Sequence, residues 1–240
     1  MIKVDNFTLT KGNFCLSNIN FNICDGQTVA ILGETGSGKT MLLESIAGIY
    51  KGDSGCVYLN DKDVNSIASN MRHIGFVYQD YCLFNHMSVR ENIGYGLKVK
   101  NINKKIIENR VEEIASKFNI INILDKNPSV ISGGEKQRTA LCRALIVNPR
   151  VLLLDEPFSA MDPNTKDLLI NTLKKFKEQY EGIIILVTHD FNEAIKLANT
   201  IHIMVKGKLK ATKTPSTLFI PTEDYEVNKF LQCNKKEEII

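Results

Sequence analysis

The 240-residue chain lacks a long hydrophobic run, and it lacks an apolar leader at its N-terminus. No apolar stretch approaches the ~20 residues that a membrane-spanning helix needs. The first five residues, from Met1 to Asp5, alternate between apolar and polar character, whereas a signal peptide carries a continuous apolar core. We therefore expect a cytoplasmic protein whose membrane association would come through a partner.

The chain also lacks a cysteine framework and a marked excess of charge. Its six cysteines, at positions 15, 24, 56, 82, 142 and 233, include no Cys-x-x-Cys pair and no His-Cys cluster. This pattern argues against a disulfide scaffold or a zinc site, and it predicts free thiols in a reducing compartment. A net charge of +3, from 30 basic and 27 acidic residues, is too small to argue for a nucleic-acid partner.

Hydrophobic patterning divides the whole chain into short strands and helices, with no repeat or low-complexity linker. Alternation and short apolar runs predict strands at residues 2–9, 14–23, 28–32, 57–59, 74–78, 151–154, 183–187 and 201–205. Apolar residues at three- and four-residue intervals predict helices at residues 39–48, 89–97, 104–118, 135–147, 164–180 and 190–198.

A glycine-rich octapeptide separates the third predicted strand from the first predicted helix. It consists of Gly33, Glu34, Thr35, Gly36, Ser37, Gly38, Lys39 and Thr40, and it matches the phosphate-loop pattern in full. The glycines let backbone amides curl around phosphate oxygens, and the helix N-terminus adds a favourable dipole. We expect Lys39 to reach the β- and γ-phosphates of ATP and the Thr40 hydroxyl to bind magnesium.

Two carboxylates, Asp155 and Glu156, follow the apolar run at residues 151–154. A buried strand that ends in acids is common, but beside a phosphate loop it is typical of a Walker B strand. Such a strand holds its carboxylates at the sheet edge where ligands bind. We expect Asp155 to hold magnesium through water and Glu156 to polarise the attacking water.

These patterns favour an α/β fold, a P-loop NTPase core with a parallel sheet. We expect a single domain over residues 1–240 that also contains an N-terminal antiparallel β-subdomain and an inserted α-helical subdomain. The predicted divisions are a core at residues 1–80 and 149–222, a helical insertion at 81–148, and a C-terminal helix or frayed tail at 223–240.

The peptide Ser132-Gly133-Gly134-Glu135 precedes the helix predicted at residues 135–147. A serine followed three residues later by glutamate forms a capping box, which by itself accounts for a helix start. The peptide also resembles Leu-Ser-Gly-Gly-Gln, the signature of ATP-binding cassette (ABC) transporters, with Ile131 in place of Leu and Glu135 in place of Gln. In that family the signature faces the γ-phosphate of ATP held by the opposite subunit. The resemblance therefore implies a homodimer with composite ATP sites.

The same resemblance assigns roles to residues that would otherwise be taken as structural. Gln79 matches the Q-loop glutamine that senses magnesium and the attacking water, and His189 matches the switch histidine that contacts the γ-phosphate. Residues 159–162, ending at Asp162, resemble the D-loop that crosses the dimer. The resemblance thus implies catalytic roles for Lys39, Gln79, Glu156 and His189, and magnesium ligands in Thr40, Gln79 and Asp155.

The adenine platform departs from the family pattern. Members usually stack adenine on an aromatic residue in the first β-hairpin, where this chain has Lys11 and, shortly downstream, Phe14. We expect Phe14 either to stack the base or to point into the core.

The region after Gln79 is similar to importers of small ligands, and residues 11–19 and 41–44 are most similar to molybdate/tungstate cassettes. This implies solute import with a membrane permease and, indirectly, an extracellular solute-binding protein. Tyr81, Leu83 and Phe84 are expected either to dock the permease or to pack in the core. An exporter-type ATPase and a soluble non-transport cassette remain alternatives.

Overall fold

The computed structural model describes residues 1–159 and 161–233. It divides into two compact units: unit 1 comprises Met1–Arg72 and Ile183–Ile240, and unit 2 comprises His73–Gly182. Of the C-terminal helix or tail that we predicted at residues 223–240, residues 234–240 lie outside the described residues.

The helices and strands follow the chain in the order that patterning predicted, with a few additions. The first stretch of unit 1 contains β1 Ile2–Lys11, β2 Phe14–Ile23, β3 Thr28–Leu32, α1 Lys39–Ala47, β4 Ser54–Leu59 and β5 Lys62–Asp63. Unit 2 contains β6 Ile74–Val77, α2 Val89–Val99, α3 Lys104–Lys117, α4 Gly133–Leu145, β7 Val151–Asp155 and α5 Pro163–Lys177. Unit 1 resumes with β8 Ile183–Thr188, α6 Phe191–Leu197, β9 Thr200–Val205, β10 Lys208–Lys213 and α7 Tyr225–Phe230.

An antiparallel sheet in the order β2-β1-β4-β5 occupies the N-terminal part of unit 1. The central strand β1 pairs Ile2 with Ile23 on one side and with Leu59 on the other. Its apolar residues Ile2, Val4, Phe7 and Leu9 are all buried. One face of this sheet therefore forms a core, and the predicted antiparallel β-subdomain is confirmed.

A mainly parallel set of strands, in the order β10-β9-β3-β8, carries the phosphate loop in unit 1. Strand β3 pairs in parallel with β8, from Thr28–Ile184 to Leu32–Thr188, and in parallel with β9. Every residue of β3 and β8 is buried. Continuous apolar strands of this kind occur where both faces of a sheet are covered, so β3 holds the start of the loop in the protein interior.

Strand β10 is the main element that the sequence analysis missed. It pairs antiparallel with β9 at the edge of the sheet, and its exposed and half-buried residues alternate. Four of its six residues are lysine or threonine, so its hydrophobic signal is weak. Charged side chains are common on edge strands because they discourage pairing with other chains.

In its described residues, unit 2 combines a two-stranded parallel pair with four α-helices. Strand β6 pairs with β7 from Ile74–Val151 to Val77–Leu154, and α2 packs against α3 and α4. Ser88 and Glu91 form a capping box at the start of α2. Within the described residues, no helix is long and apolar enough to span a membrane.

His202 of β9 is a buried titratable group in unit 1. Its side chain is 6% exposed, its ring centroid lies 5.5 Å from that of Phe21, and its Nδ1 is hydrogen-bonded to Thr212 Oγ1 at 2.9 Å. The buried Nε2 has no hydrogen-bond partner in the described structure. Burial lowers the pKa of His202 from 6.5 to about 4, because the apolar surroundings disfavour the imidazolium.

This pKa shift predicts a loss of stability in mild acid. Between pH 6.5 and pH 4 the unfolded chain binds a proton at residue 202 that the folded chain does not bind, so stability falls as pH falls. We expect this group alone to lower the free energy of unfolding by about 2 kcal/mol between pH 7.5 and pH 5. Urea unfolding of His202→Gln should show a shallower pH dependence, whereas His86→Gln, at an exposed position, should keep the wild-type slope. Equal slopes in all three proteins would contradict the assignment.

Candidate functional site

The phosphate loop connects β3 to α1, and its shape depends on glycine. Gly36 and Gly38 have φ angles of 82° and 103°, and Gly38 caps α1. A Cβ atom placed on Gly33 would lie 2.3 Å from the carbonyl oxygen of Met204. Side chains at these positions would strain the backbone or overlap a neighbour, so this loop conformation at the start of the helix requires glycine.

Polar groups that suit phosphate lie within this loop. Lys39 is 5% exposed, and its ammonium group donates to the carbonyl oxygens of Gly33 and Glu34, each at 2.9 Å. Ser37 Oγ is buried without a hydrogen-bond partner in the described structure, and Thr40 is exposed on the first turn of α1. A buried hydroxyl without a partner costs free energy unless something binds it. These residues fit the triphosphate that the sequence predicted.

Phe14 lies against the phosphate loop. A Cβ atom placed on Gly38 would be 2.7 Å from Phe14 Cε1, and the half-buried Phe14 lines a cavity of about 690 Å³ together with residues 34–37. Lys11 instead places its ammonium nitrogen 3.8 Å from the ring centroid of Tyr50. Of the two alternatives for Phe14, the cavity position favours contact with a ligand, and adenine stacking stays a prediction.

His189 follows β8 at a turn that its neighbours fix. The Thr188 hydroxyl donates to Glu193 and accepts from the backbone N–H of Asp190 at 3.0 Å. The Asp190 carboxylate in turn caps α6 by accepting from the N–H of Asn192 at 2.7 Å. His189 itself is exposed on this constrained turn. The turn therefore presents the predicted switch histidine at the carboxyl end of a buried strand.

Three predicted site residues lie at one edge of the strand pair in unit 2. Strand β7 ends at Asp155, which is 4% exposed, and Glu156 follows it directly. Gln79 is exposed two residues after the end of β6. Because β6 and β7 run parallel with Val77 opposite Leu154, both strands end at the same edge. The structure therefore brings Gln79 to the edge that carries the two carboxylates.

Glu156 has a backbone conformation that the sequence does not reveal. Its φ angle is 44°, in the left-handed region that non-glycine residues rarely adopt. Its carbonyl oxygen accepts from Ser159 Oγ at 3.0 Å and from the Ser159 N–H at 3.3 Å. Such a conformation costs about 1–3 kcal/mol and persists only where the surroundings hold it, which is common at active sites.

Asp162, the predicted D-loop residue, caps α5. Its carboxylate accepts from the N–H of Thr165 at 3.0 Å, and bonds to Thr165 lower the pKa of Asp162. The structure thus gives Asp162 a local structural role, and its role toward ATP stays a prediction.

The signature peptide is the capped start of α4, as its capping box predicted. The N–H of Glu135 donates to Ser132 Oγ at 3.3 Å, and the Glu135 carboxylate accepts from the N–H and hydroxyl of Ser132 at 2.8 and 2.9 Å. These bonds lower the pKa of Glu135, the backbone bond to Ser132 contributing most. A Cβ atom on Gly134 would lie 2.7 Å from Thr165 Cγ2, so any larger residue there would require the Thr165 side chain to shift. Gly133 remains exposed at the helix N-terminus.

The proposed docking residues Tyr81, Leu83 and Phe84 are all half-buried. The Phe84 ring packs against Tyr95, with centroids 4.8 Å apart, and lies 5.3 Å from the guanidinium carbon of Arg143. Phe84 therefore packs locally and keeps some exposure, and its role in docking stays a prediction. Sequence reasoning missed Arg143, which lies in the last turn of an ordinary amphipathic helix and belongs to no motif.

Comparison with known proteins identifies the family. The family model described as ABC transporter matches residues 16–159, more than half of the chain. The molybdate/tungstate import ATP-binding protein WtpC of Archaeoglobus fulgidus is 44% identical over 222 residues, which cover 92% of this chain and 90% of the relative. The sulfate/thiosulfate import ATP-binding protein CysA of Nocardia farcinica is 40% identical over 232 residues, covering 96% of this chain and 69% of the relative.

A solved structure shows the same fold. The dimeric post-hydrolysis structure of the ATP-binding cassette MJ0796, bound to ADP and Pi, superposes with a TM-score of 0.82 at 30% identity. The superposition covers 90% of this chain and 99% of that cassette. The phosphate loop, the signature peptide and these comparisons agree, and the chain belongs to the ABC transporter family as an ATP-hydrolysing cassette.

Proposed function

We propose that two copies of this chain form the ATP-driven part of an importer for a small oxyanion. The observation that carries the proposal is that one chain contains both a phosphate loop and a signature peptide, each at the start of a helix. In the family, the signature peptide completes the ATP site of the opposite subunit. A chain with both elements can therefore pair with itself to form two equivalent sites.

The proposal assigns phosphate binding to the loop and magnesium binding to side-chain oxygens. Residues 33–38, Lys39 and Phe14 would hold ATP, the last through its adenine. Thr40, Gln79 and Asp155 would hold magnesium, with Asp155 acting through water, and the bound ion would neutralise charge on the β- and γ-phosphates. Hydroxyl, amide and carboxylate oxygens are the donors that this hard cation prefers.

Hydrolysis would proceed by positioning and charge stabilisation. Glu156 orients and polarises a water molecule toward the γ-phosphate, while Lys39 and His189 stabilise charge on the transferred group. The fixed turn at Thr188 and Asp190 supports His189 in this role. The hydrogen bond from Ser159 to the carbonyl oxygen of Glu156 supports the Glu156 carboxylate in its role.

Dimer closure would depend on ATP. The amides at Ser132, Gly133 and Gly134, together with Glu135 and Asp162, would contact ATP held by the partner. Such a bridge exists only in the closed dimer, and a ligand shifts a conformational equilibrium only through its different affinities for the two states. ATP binding would therefore close the dimer, and hydrolysis would release it.

The transport assignment rests on relatives rather than on the site. The names of the relatives specify molybdate/tungstate and sulfate/thiosulfate import, and this favours import over an exporter or a soluble cassette. Both kinds of solute include tetrahedral oxyanions, of which we propose molybdate or tungstate because more of the similar relatives carry that name.

The permease and an extracellular binding protein would select the solute. The cassette would act at the cytoplasmic face of the membrane, docked to the permease through Tyr81, Leu83 and Phe84.

Replacing Glu156 tests the hydrolysis assignment. Glu156→Gln should bind ATP with an affinity within a fewfold of wild type, because the phosphate loop is untouched. Its turnover should fall by at least 100-fold, since the amide cannot polarise water in the same way, and an ATP-bound dimer should accumulate on gel filtration. Glu178→Gln, an exposed position, serves as the matched control. Wild-type turnover in Glu156→Gln would remove this residue from the proposed role.

Ser37→Ala tests the fit of the loop to phosphate. The alanine removes a buried hydroxyl without a partner, so the nucleotide-free protein should melt at or slightly above the wild-type temperature. ATP affinity, measured by calorimetry, should fall about fivefold to tenfold, as expected for a lost hydrogen bond of about 1 kcal/mol. Ser45→Ala, which removes a hydroxyl bonded to Met41 O at 2.7 Å within α1, should leave ATP affinity unchanged. If Ser37→Ala kept the wild-type ATP affinity and only Ser45→Ala lost affinity, the phosphate assignment of Ser37 would be wrong.

Mixing two inactive variants tests the shared site. Lys39→Ala disables the phosphate loop, and Ser132→Asp keeps an N-cap residue while placing a negative charge at the signature. Random pairing gives half mixed dimers, and each of these has one intact site, so about a quarter of the wild-type sites should reappear. ATPase assays on the separate and mixed proteins measure the recovery. If the mixture is as inactive as the two separate variants, the hypothesis of composite sites that work independently is contradicted.

A further inference from the structure

Arg143 of α4 binds the backbone at the beginning of the segment that we assign to permease docking. Its guanidinium group donates to the carbonyl oxygen of Tyr81 at 2.8 Å and to that of Cys82 at 2.6 Å. The guanidinium carbon also lies 5.3 Å from the centre of the Phe84 ring. One side chain therefore contacts three of the four residues 81–84, which we call the docking segment.

The docking segment has a backbone that needs such support. Tyr81 and Cys82 are consecutive non-glycine residues with φ angles of 61° and 47°. Each is in the left-handed region, which L-residues adopt at a cost. Two charge-assisted hydrogen bonds from a rigid planar donor are well suited to hold neighbouring carbonyl groups in one geometry.

Tyr81 also lies beside the signature peptide. A Cβ atom placed on Gly133 would be 3.4 Å from the Tyr81 hydroxyl oxygen. The backbone of the same residue is bonded to Arg143, ten positions further along α4, or about 15 Å along the helix axis. Tyr81 thus lies beside the first residue of α4 and is hydrogen-bonded to a side chain from its last turn.

A second side chain fixes the continuation of the docking segment. Asn92 of α2 is fully buried, accepts from the N–H of Phe84 at 2.8 Å and donates to the Phe84 carbonyl at 3.0 Å. It also donates to the carbonyl oxygens of Met87 and Ser88. Movement of the docking segment relative to α2 is therefore restricted, and Arg143 and Tyr81 connect it to α4.

We propose that Tyr81 and Arg143 are positioning residues that fix the docking segment to the signature helix, so that ATP at the signature peptide alters the segment that contacts the permease. This inference rests on the proposed function, because it takes ATP binding at residues 132–134 as given. It adds a route: the Tyr81 hydroxyl beside Gly133 would respond to ATP at the start of α4, and the hydrogen bonds from Arg143 connect the docking segment to the last turn of α4.

Hydrogen–deuterium exchange measured by mass spectrometry tests this link in the full-length cassette. All proteins carry Glu156→Gln so that the ATP-bound state accumulates, and exchange is followed with and without Mg-ATP. In this background, ATP should slow exchange at the first turn of α4 and change it at residues 79–88 by at least threefold. The exposed Cys82 thiol gives a second readout through its rate of alkylation.

Three further substitutions separate positioning from general stability. Arg143→Met should speed exchange at residues 81–84 by at least tenfold and abolish the ATP response there, while exchange in β7 stays within twofold. Arg143→Lys retains the charge and should restore part of the ATP response. Tyr81→Phe should reduce that response at least threefold without speeding exchange in the absence of ATP. Arg90→Met is the matched control, because among the described residues Arg90 forms side-chain bonds only with Glu112 and Asp125, and it should respond like the parent.

The outcomes distinguish this inference from the proposed function. If ATP protects α4 and the docking segment still responds fully in Arg143→Met and Tyr81→Phe, the proposed link is wrong. If Arg143→Met speeds exchange throughout unit 2, including β7, Arg143 has a general structural role and the inference is overturned. If ATP changes neither the phosphate loop nor α4 in the parent protein, the proposed function itself fails.

Discussion

The proposed chemistry of this protein depends on the starts of two helices, α1 and α4. A helix leaves its first N–H groups without partners inside the helix, and its dipole places partial positive charge beside them. In α1 the cap is Gly38, which provides no side-chain hydrogen bond, and in α4 the peptide after the Ser132 cap begins with two glycines. Any Cβ atom on Gly33, Gly38 or Gly134 would meet a neighbour at less than 3 Å. The same geometry therefore explains why both predicted phosphate-binding peptides are rich in glycine.

Carboxyl ends of buried parallel strands provide the second constraint. Strands β6 and β7 end side by side, and so they bring Gln79 to the edge that carries Asp155 and Glu156. The apolar run of β7 anchors this edge, since all five of its residues are buried. Glu156 then leaves the strand in a left-handed conformation that Ser159 helps to hold. A flexible loop would lose more conformational entropy than this buried strand end does in holding a carboxylate in one place.

Two arginines show how side chains support functional backbone away from the site. Arg72 donates to the carbonyl oxygens of Ser45, Ile46 and Ile67, and so it binds the carbonyl groups near the end of the phosphate-loop helix α1. Arg143 makes similar bonds to Tyr81 and Cys82 beside the signature helix. In both cases a guanidinium group satisfies carbonyl groups outside regular pairing. Burial lowers the pKa of both arginines, but their ordinary pKa is so high that the charge persists.

The sequence by itself determined the order of strands and helices, the phosphate loop, the capping box at Ser132 and the family. Those features depend on local spacing, because periodic burial and the need for glycine act within a few residues. Even so, β10 was missed, since an exposed edge strand buries too little to show a strong pattern. Only the tertiary structure decided the rest: the left-handed Glu156, the position of Phe14 against Gly38, and the bonds from Arg143 to a segment about sixty residues earlier. The last two of these join residues far apart in the chain, and their partners are backbone carbonyl groups and ring faces that every sequence contains. No spacing rule can identify which of them will meet until the fold brings them together.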